Sequence, residues 1–396
     1  MAPDAPTTPA AASHAGAVDT SPVPFIDLIT QRQRIWPQVL ARWERLTANA
    51  QFILGPEVAE LERQLAEAAG TRHALAVASG TDALLMPLMA KGVGPGDAVL
   101  CPSFTFAATP EVVARLGATP VFVDVRAEDF NIDPAGIEPA LVAARTAGLR
   151  PVAIMPVDLF GQAADYGAVN RLAQQHGLWV LADAAQSFGA RVDNRAVGSL
   201  AEVTATSFYP AKSLGAWGDG GALFTDDEAL YQVLKSIRVH GEGTDRYDNV
   251  RLGITGRLDA LQASVLIEKL AIFPEEIEAR NAVAARYSAL LAGHVAVPRL
   301  HPGNTSVWAQ YTVILPAGTD RGAVQARMKA AGVPSMIYYP KPNHLQAPYA
   351  AAPQQPGGLP VTIDLAARVL SLPMHPYLTE AQQQRVADSL IQALDA

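Results

Sequence analysis

The segment TSFYPAKSLG, residues 206–215, leads directly into the glycine-rich run WGDGG at residues 217–221. It is preceded in the chain by DAAQS, residues 183–187. Asp183 ends one short apolar run, and Lys212 comes just after another, which predicts an acid and a lysine at the ends of two buried strands. In open α/β sheets, such strand ends form the edge at which ligands bind.

An acid and a lysine in this arrangement are what pyridoxal phosphate chemistry requires. The cofactor acts as an electron sink when a carboxylate holds its ring nitrogen protonated and a lysine holds its aldehyde as a Schiff base. Lysine suits the second role because a desolvated ammonium readily loses its proton and leaves an amine that attacks a carbonyl. We therefore assign Asp183 to the ring nitrogen and Lys212 to the aldehyde. The alternative, a capping acid and a solvated lysine, is disfavoured by the glycine pattern after the lysine.

Length and composition limit the possible classes of protein. A chain of 396 residues is longer than one hydrophobic core usually supports, so we expect two domains. The net charge of −8 argues against nucleic acid or an anionic membrane as a partner. The sequence has no stretch of about 20 residues that is apolar and free of charges, so we expect no membrane span. The first basic residue is Arg32, too late for a secretory or transit signal, so we expect a cytoplasmic protein.

Three regions of the chain differ in composition. Residues 1–23 are mostly Ala, Pro, Thr and Ser with almost no large apolar side chain, which predicts a disordered tail. Residues 24–275 are predicted to form a large cofactor-binding domain, with helices over residues 56–66 and from 259 toward 273. Residues 276–396 are predicted to form a smaller C-terminal α+β domain.

The large region contains short apolar runs, each followed by a helical pattern. Apolar residues that are continuous rather than alternating indicate strands that are covered on both faces. The predicted fold class is therefore α/β, with a mainly parallel sheet flanked by helices. The predicted strands cover residues 74–77, 99–101, 120–123, 152–155, 178–181, 203–208 and 221–224.

Side chains at further strand ends extend the predicted cofactor site. Gly80 and Thr81 follow a strand and open a helix, where free N–H groups and the helix dipole can hold a phosphate without a basic side chain. Ser207 places a hydroxyl near the same group, or else bonds only to local backbone. Phe106 either stacks on the pyridine ring or belongs to the core. Gln186 either contacts the ring hydroxyl or is an ordinary turn residue.

Together these motifs resemble those of the DegT/DnrJ/EryC1/StrS family of sugar-nucleotide aminotransferases. The resemblance extends from Phe25 to the C-terminus. The matching segments are FIDL at 25–28, QFILGPEV at 51–58, ASGTDAL at 78–84, DAAQSFG at 183–189, the lysine motif, GRLD at 256–259 and SLPMHP at 371–376. The resemblance implies a fold-type I, pyridoxal phosphate-dependent homodimer whose active sites lie at the subunit interface, with no metal.

The resemblance also implies individual roles at the cofactor. Lys212 becomes the Schiff-base lysine and proton shuttle, and Asp183 the partner of the ring nitrogen. Gln186 becomes the ring-hydroxyl contact and Phe106 the stacking residue. The implied phosphate ligands are Gly80, Thr81 and Ser207.

Arg257 is implied to reach across the dimer to a carboxylate of the sugar, whose two oxygens its guanidinium fork matches. The alternative is a structural ion pair with Asp259. The chain departs from the family at Thr255, where many relatives carry an asparagine that is directed at the partner's phosphate. A threonine hydroxyl can still donate, although its reach is shorter.

A second departure lies in the C-terminal region, where relatives tend to show His-Tyr-Pro. This chain has Tyr338 and Tyr339 before the proline, with His344 just beyond, and these three residues are the predicted substrate contacts.

Within the family, the chain is most similar to enzymes that aminate C3 of UDP-2-acetamido-2-deoxy-ribo-hexuluronate with L-glutamate as donor, for bacterial O-antigen (lipopolysaccharide) biosynthesis. Three alternatives remain open. The sugar could be a dTDP-3-keto-6-deoxyhexose. The reaction could be a sugar dehydration, although a histidine usually replaces Lys212 in such relatives. The protein could also be a non-catalytic regulator that kept the fold.

Overall fold

The computed structural model describes residues 22–245 and 247–396. Of the predicted tail, residues 1–21 lie outside the described residues. Val23 is described and buried, and its N–H donates to the carbonyl oxygen of Gly332 at 3.0 Å. In the described part of the chain, no helix has both the length and the apolar character that a membrane crossing requires.

Helices and strands alternate along most of the described chain. The helices are α1 (Leu28–Asn49), α2 (Pro56–Ala69), α3 (Gly80–Ala90), α4 (Ala108–Arg115), α5 (Ile137–Thr146), α6 (Tyr166–His176), α7 (Glu228–Arg238), α8 (Ala260–Leu291), α9 (Arg321–Ala330), α10 (Pro360–Arg368) and α11 (Glu380–Asp395). The strands are β1 (His73–Val77), β2 (Asp97–Pro102), β3 (Thr119–Val123), β4 (Arg150–Ile154), β5 (Trp179–Asp183), β6 (Arg191–Val192), β7 (Arg195–Ala196), β8 (Val203–Ser207), β9 (Gly221–Thr225), β10 (Asn304–Thr305), β11 (Tyr311–Ile314) and β12 (Val369–Leu372).

Seven strands form the central sheet, in the order β1-β9-β8-β5-β4-β2-β3. The neighbouring strands β3, β2, β4, β5 and β8 pair in parallel, in that spatial order. Strand β9 lies between β8 and β1 and is antiparallel to both. Strand β9 returns antiparallel because only a loop, without a crossover helix, separates it from β8. The predicted α/β class with a mainly parallel sheet is confirmed, and each predicted strand overlaps an observed one.

Helical layers cover both faces of the sheet, which explains the continuously apolar strands. Along β1, Ala74 and Ala76 pack into a core that also contains residues of α2, α5, α6 and α8. The alternate residues Leu75 and Val77 pack into a second core with residues of α3, α4 and α7. The side chains on both faces of the strands are therefore shielded from water.

A separate core lies in the C-terminal part of the chain, around Tyr287, Tyr311 and Leu372. Helix α8 contributes buried residues both to this core and to the core beneath the sheet, and it continues through Pro274. The predicted boundary between residues 275 and 276 therefore falls inside a helix. The division into two domains stays a prediction.

Candidate active site

The carboxyl ends of the parallel strands bring the predicted catalytic residues to one edge of the sheet. Asp183 is the last residue of β5 and Ser207 the last residue of the neighbouring β8. Lys212 lies in the loop that follows β8, and its backbone N–H donates to the carbonyl oxygen of Tyr209 at 2.8 Å. Two adjacent strand ends thus position the acid and the lysine, as the sequence predicts.

The charges of Asp183 and Lys212 act on each other. Asp183 is only 5% exposed, and its carboxylate accepts hydrogen bonds from the Thr109 hydroxyl at 2.8 Å and the Ala185 N–H at 3.2 Å. Burial raises the pKa of Asp183, although Thr109, Ala185 and the charge of Lys212 oppose the rise. Burial lowers the pKa of Lys212, and the charge of Asp183 opposes that shift. A buried acid therefore faces an amine that loses its proton more easily than a solvated lysine does.

A tight turn between β1 and α3 forms the predicted phosphate site. The Ser79 hydroxyl oxygen caps α3 by accepting the Asp82 N–H at 3.0 Å, and the helix begins at Gly80. Gly80 lies so close to Ser207 that a Cβ added to it would be 2.6 Å from the Ser207 Cβ. Thr81 follows in the first helical turn, whose N–H groups have no partner within the helix. The structure thus brings Gly80, Thr81 and Ser207 together at the N-terminus of a helix.

Replacing Gly80 with alanine should strain this turn. The new Cβ would push the Ser207 side chain away, so we expect a melting temperature lower by a few degrees, from a loss of about 1–3 kcal/mol. Gly94→Ala is the matched control, because the nearest atom to its added Cβ is 3.9 Å away. Thermal unfolding of both variants without added ligand checks this prediction, and equal melting temperatures would contradict it.

Aromatic and amide side chains line the neighbouring part of the site. The Gln186 side-chain oxygen accepts the Phe160 N–H at 2.7 Å, and its amide nitrogen donates to the Tyr339 hydroxyl at 3.2 Å. Phe106 is 57% exposed, and its ring centroid lies 6.2 Å from that of Tyr339. Phe106 is therefore not a core residue, and its ring is available to a ligand.

The C-terminal segment is fastened to the loop that carries Phe106. The Asn343 amide donates to the carbonyl oxygens of Ser103 at 3.3 Å and Thr105 at 2.8 Å. The His344 Nδ1 lies 2.7 Å from the Ser103 hydroxyl oxygen. Burial lowers the pKa of His344, which favours a neutral ring. Tyr338 packs beside Tyr339 with its ring centroid 5.9 Å away, so all three predicted substrate contacts lie near this loop.

Thr255 and Arg257 occupy the segment before α8. The Thr255 hydroxyl lies 2.8 Å from Nε2 of His240, and Arg257 pairs through its backbone with Val77 at the end of β1. Within residues 22–245 and 247–396, the half-buried Arg257 forms no ion pair. Asp259 instead caps α8 by accepting the Gln262 N–H at 2.8 Å. The structural ion pair considered for Arg257 is thus not present, and neither Thr255 nor Arg257 bonds to Asp183 or Lys212.

Sequence reasoning missed two polar residues of the site. Thr109 lies inside α4 rather than at a strand end, so no pattern marked it as a partner of Asp183. Asp158 is fully buried and accepts a hydrogen bond from the Ser187 hydroxyl at 2.7 Å. A signal for Asp158 was present, since it follows the apolar run at residues 152–155 much as Asp183 ends another.

These residues fit a bound pyridoxal phosphate. The close approach of Gly80 to Ser207 places the Ser207 hydroxyl beside the N-terminus of α3, where helix N–H groups can hold a phosphate. The buried acid suits a protonated ring nitrogen, and the desolvated lysine suits an aldehyde. The exposed ring of Phe106 offers an aromatic face beside them.

Comparisons with known proteins agree with this chemistry. The model of the DegT/DnrJ/EryC1/StrS aminotransferase family matches residues 34–391. The UDP-2-acetamido-2-deoxy-3-oxo-D-glucuronate aminotransferase of Pseudomonas aeruginosa is 44% identical over 93% of this chain and 99% of its own. A crystal structure of a DegT/DnrJ/EryC1/StrS aminotransferase from Brucella abortus is 50% identical and covers 94% of this chain and 100% of its own, with a TM-score of 0.92. A structure of NtdA from Bacillus subtilis with bound cofactor PMP is 29% identical and covers 95% of this chain and 86% of its own, with a TM-score of 0.85.

Proposed function

The chain belongs to the DegT/DnrJ/EryC1/StrS family and is a sugar-nucleotide aminotransferase, and from that premise we propose that it depends on pyridoxal phosphate and aminates C3 of UDP-2-acetamido-2-deoxy-ribo-hexuluronate. L-Glutamate is the proposed amino donor, and the product would enter bacterial O-antigen sugars. The observation that carries the proposal is the pairing of the buried Asp183, at the end of β5, with the half-buried Lys212, in the loop after the neighbouring β8.

When bound, the cofactor supplies an electron sink for a carbanion next to nitrogen. Asp183 would hold the ring nitrogen, and Gly80, Thr81 and Ser207 would hold the phosphate. Lys212 Nζ would hold the aldehyde, and once displaced by glutamate it would take the proton from the amino acid's α-carbon. In the second half of the reaction, the same amine would return a proton to C3 of the sugar. The lowered pKa of Lys212 supports this role, because only a neutral amine accepts a proton.

Arg257 supports a uronate over a deoxyhexose as the sugar. Its guanidinium has no carboxylate partner among the described residues, and its backbone is bound beside Val77, three residues before the phosphate turn at Gly80. A half-buried guanidinium that has no carboxylate partner among the described residues can pair with a carboxylate of the substrate. A dTDP-3-keto-6-deoxyhexose has no carboxylate for it to bind.

Replacing Arg257 with glutamine should therefore impair one substrate selectively. We expect KM for the UDP-linked uronate to rise by about 10²-fold, the usual cost of removing one partner of a buried charge pair. Activity on a dTDP-3-keto-6-deoxyhexose should change little. Steady-state kinetics on both sugars, with the exposed Arg63→Gln on α2 as control, would measure this. An unchanged KM for the uronate would contradict the role of Arg257.

We further propose that the enzyme is a homodimer whose subunits share active sites. Large apolar side chains are exposed on segments beside the site: Leu252 is 88% exposed, Tyr209 55% and Phe52 43%. Exposed apolar surface of this kind is typical of an interface. The cross-subunit roles of Thr255 and Arg257 and the cytoplasmic location remain predictions.

Transfer of labelled nitrogen tests the proposed reaction. The purified protein would be incubated with pyridoxal phosphate, L-glutamate labelled at its amine, and each of the two keto-sugar nucleotides in turn. Mass spectrometry should show label in the product of the UDP-linked uronate. Label only in the deoxyhexose product would support the rival substrate, and label in neither sugar would contradict both.

A further inference from the structure

Asp158 is a buried carboxyl directly beside Asp183. It follows Val157, whose backbone pairs in parallel with Asp183. The Asp158 N–H donates to the carbonyl oxygen of Asp183 at 3.0 Å, and the Asp183 N–H donates to the carbonyl oxygen of Pro156 at 2.9 Å. The backbone around Asp158 is thus bound on both sides to the residue that we propose for the ring nitrogen.

The side chain of Asp158 joins two segments of the chain. Its Oδ1 accepts the Ala164 N–H at 2.8 Å and the Tyr166 hydroxyl at 2.9 Å, while its Oδ2 accepts the Ser187 hydroxyl at 2.7 Å. Ser187 belongs to the segment that starts at Asp183, whereas Ala164 and Tyr166 belong to the loop before α6 and its first turn. The Asp158 carboxylate therefore holds that loop against the segment that starts at Asp183.

The same loop also fixes Gln186. The Phe160 N–H, which Gln186 Oε1 accepts at 2.7 Å, lies between Asp158 and Ala164 in the chain. The loop therefore helps to position the Gln186 amide, which also donates to the Tyr339 hydroxyl. Both polar groups that we propose to contact the cofactor ring, Asp183 and Gln186, thus depend on contacts of Asp158.

Asp158 has no positive counterion among the described residues. The titratable groups that act on it are Tyr166, which donates to it, and Asp183. Burial raises the pKa of Asp158 to about 7, its three hydrogen-bond donors oppose the rise, and the charge of Asp183 adds to it. The carboxyl therefore changes its charge within the pH range in which enzymes are commonly assayed.

Resting on the proposed cofactor role of Asp183, we propose that Asp158 is a positioning residue for the ring-nitrogen site, through both its hydrogen bonds and its negative charge. The side-chain hydrogen bonds hold the loop that contacts Gln186 against the segment that carries Asp183. The charge adds to that of Asp183 and favours a positive charge at the ring nitrogen. Because Asp158 is fully buried, it acts through Asp183 and does not touch the substrate.

The variant Asp158→Asn separates the charge from the hydrogen bonds. Its amide keeps the shape, its oxygen can accept from Ala164 and Tyr166, and its nitrogen can donate to the Ser187 hydroxyl oxygen. We would measure the dissociation constant of pyridoxal phosphate by equilibrium dialysis for both proteins, between about pH 5.5 and pH 8.5. The dissociation constant of the variant divided by that of the wild type should be near one at the acidic end, where the carboxyl is neutral. This ratio should rise to about tenfold at the basic end, where the carboxyl is charged.

The control is Asp97→Asn, which alters a buried acid at the opposite edge of the sheet and should give a ratio that does not change with pH. A flat ratio for Asp158→Asn would overturn the proposal, since a purely structural defect is not linked to ionisation of this carboxyl. If Asp158→Asn does not fold, Tyr166→Phe provides a second test, because it removes the hydroxyl that donates to Asp158. The pH at which pyridoxal phosphate binding changes should then rise. An unchanged dependence of binding on pH would overturn the proposal. Wild-type protein that binds no pyridoxal phosphate would contradict the proposed function instead.

Discussion

Replacing Lys212 with alanine should abolish turnover, with kcat lower by at least about 10⁴-fold. The reason is that the same amine carries two roles, the covalent link to the aldehyde and the proton transfer at the α-carbon. Borohydride reduction followed by mass spectrometry should find the cofactor attached to Lys212 in the wild type and to no residue in the variant. Turnover assays with L-glutamate and the UDP-linked uronate check the kinetic part.

The control for this variant is Lys329→Ala, which removes an exposed lysine of α9 that is remote in sequence from Lys212. It should retain wild-type activity. Lys212→Ala should unfold at about the same temperature as the wild type, because the removed amine is half-buried and desolvated at a cost. A folded Lys212→Ala protein with full turnover would refute the assignment of the lysine.

Replacing Asp183 with asparagine should lower kcat by about 10³-fold while leaving the fold intact. The amide can still accept the Thr109 hydroxyl, so the local geometry survives. The amide lacks the negative charge that holds a ring nitrogen protonated, and the electron sink weakens accordingly. The same assays, together with pyridoxal phosphate binding by equilibrium dialysis, would separate a loss of rate from a loss of cofactor.

Asp97→Asn again provides a matched change, because it also converts a buried carboxyl to an amide. Its kcat should stay within about twofold of the wild type, as expected for a site remote from the chemistry. If Asp183→Asn and Asp97→Asn behave alike, Asp183 cannot be the partner of the ring nitrogen.

The sheet could be predicted because each of its strands is marked by a short, contiguous stretch of sequence. Continuous apolar runs indicate strands that are covered on both faces, and the layers around Leu75 and Ala76 bear this out. The placement of Asp183 and Lys212 at one edge of the sheet could be predicted for the same reason, since Asp183 ends one such run and Lys212 comes shortly after another. The turn at Gly80 likewise carries its own signal, in a glycine between a strand and a helix.

Other features depend on contacts between distant residues and leave little trace in the sequence. The Asn343 amide bonds to Thr105 across most of the chain, and the Thr109 hydroxyl reaches Asp183 from a helix. Helix α8 continues through Pro274 because both of its halves are buried in different cores. A proline usually indicates a helix end, so a local pattern favours a shorter helix than the one that tertiary packing stabilises.

The visible absorbance spectrum of the purified protein tests the central claim most directly. With pyridoxal phosphate added, we expect a visible band that disappears with L-glutamate and returns when the UDP-linked 3-keto-uronate is supplied. Return of the band only with a dTDP-3-keto-6-deoxyhexose would keep the aminotransferase chemistry but contradict the proposed sugar and the role of Arg257. Absence of any visible band at the outset would contradict the assignment of Lys212 and Asp183 as the cofactor site.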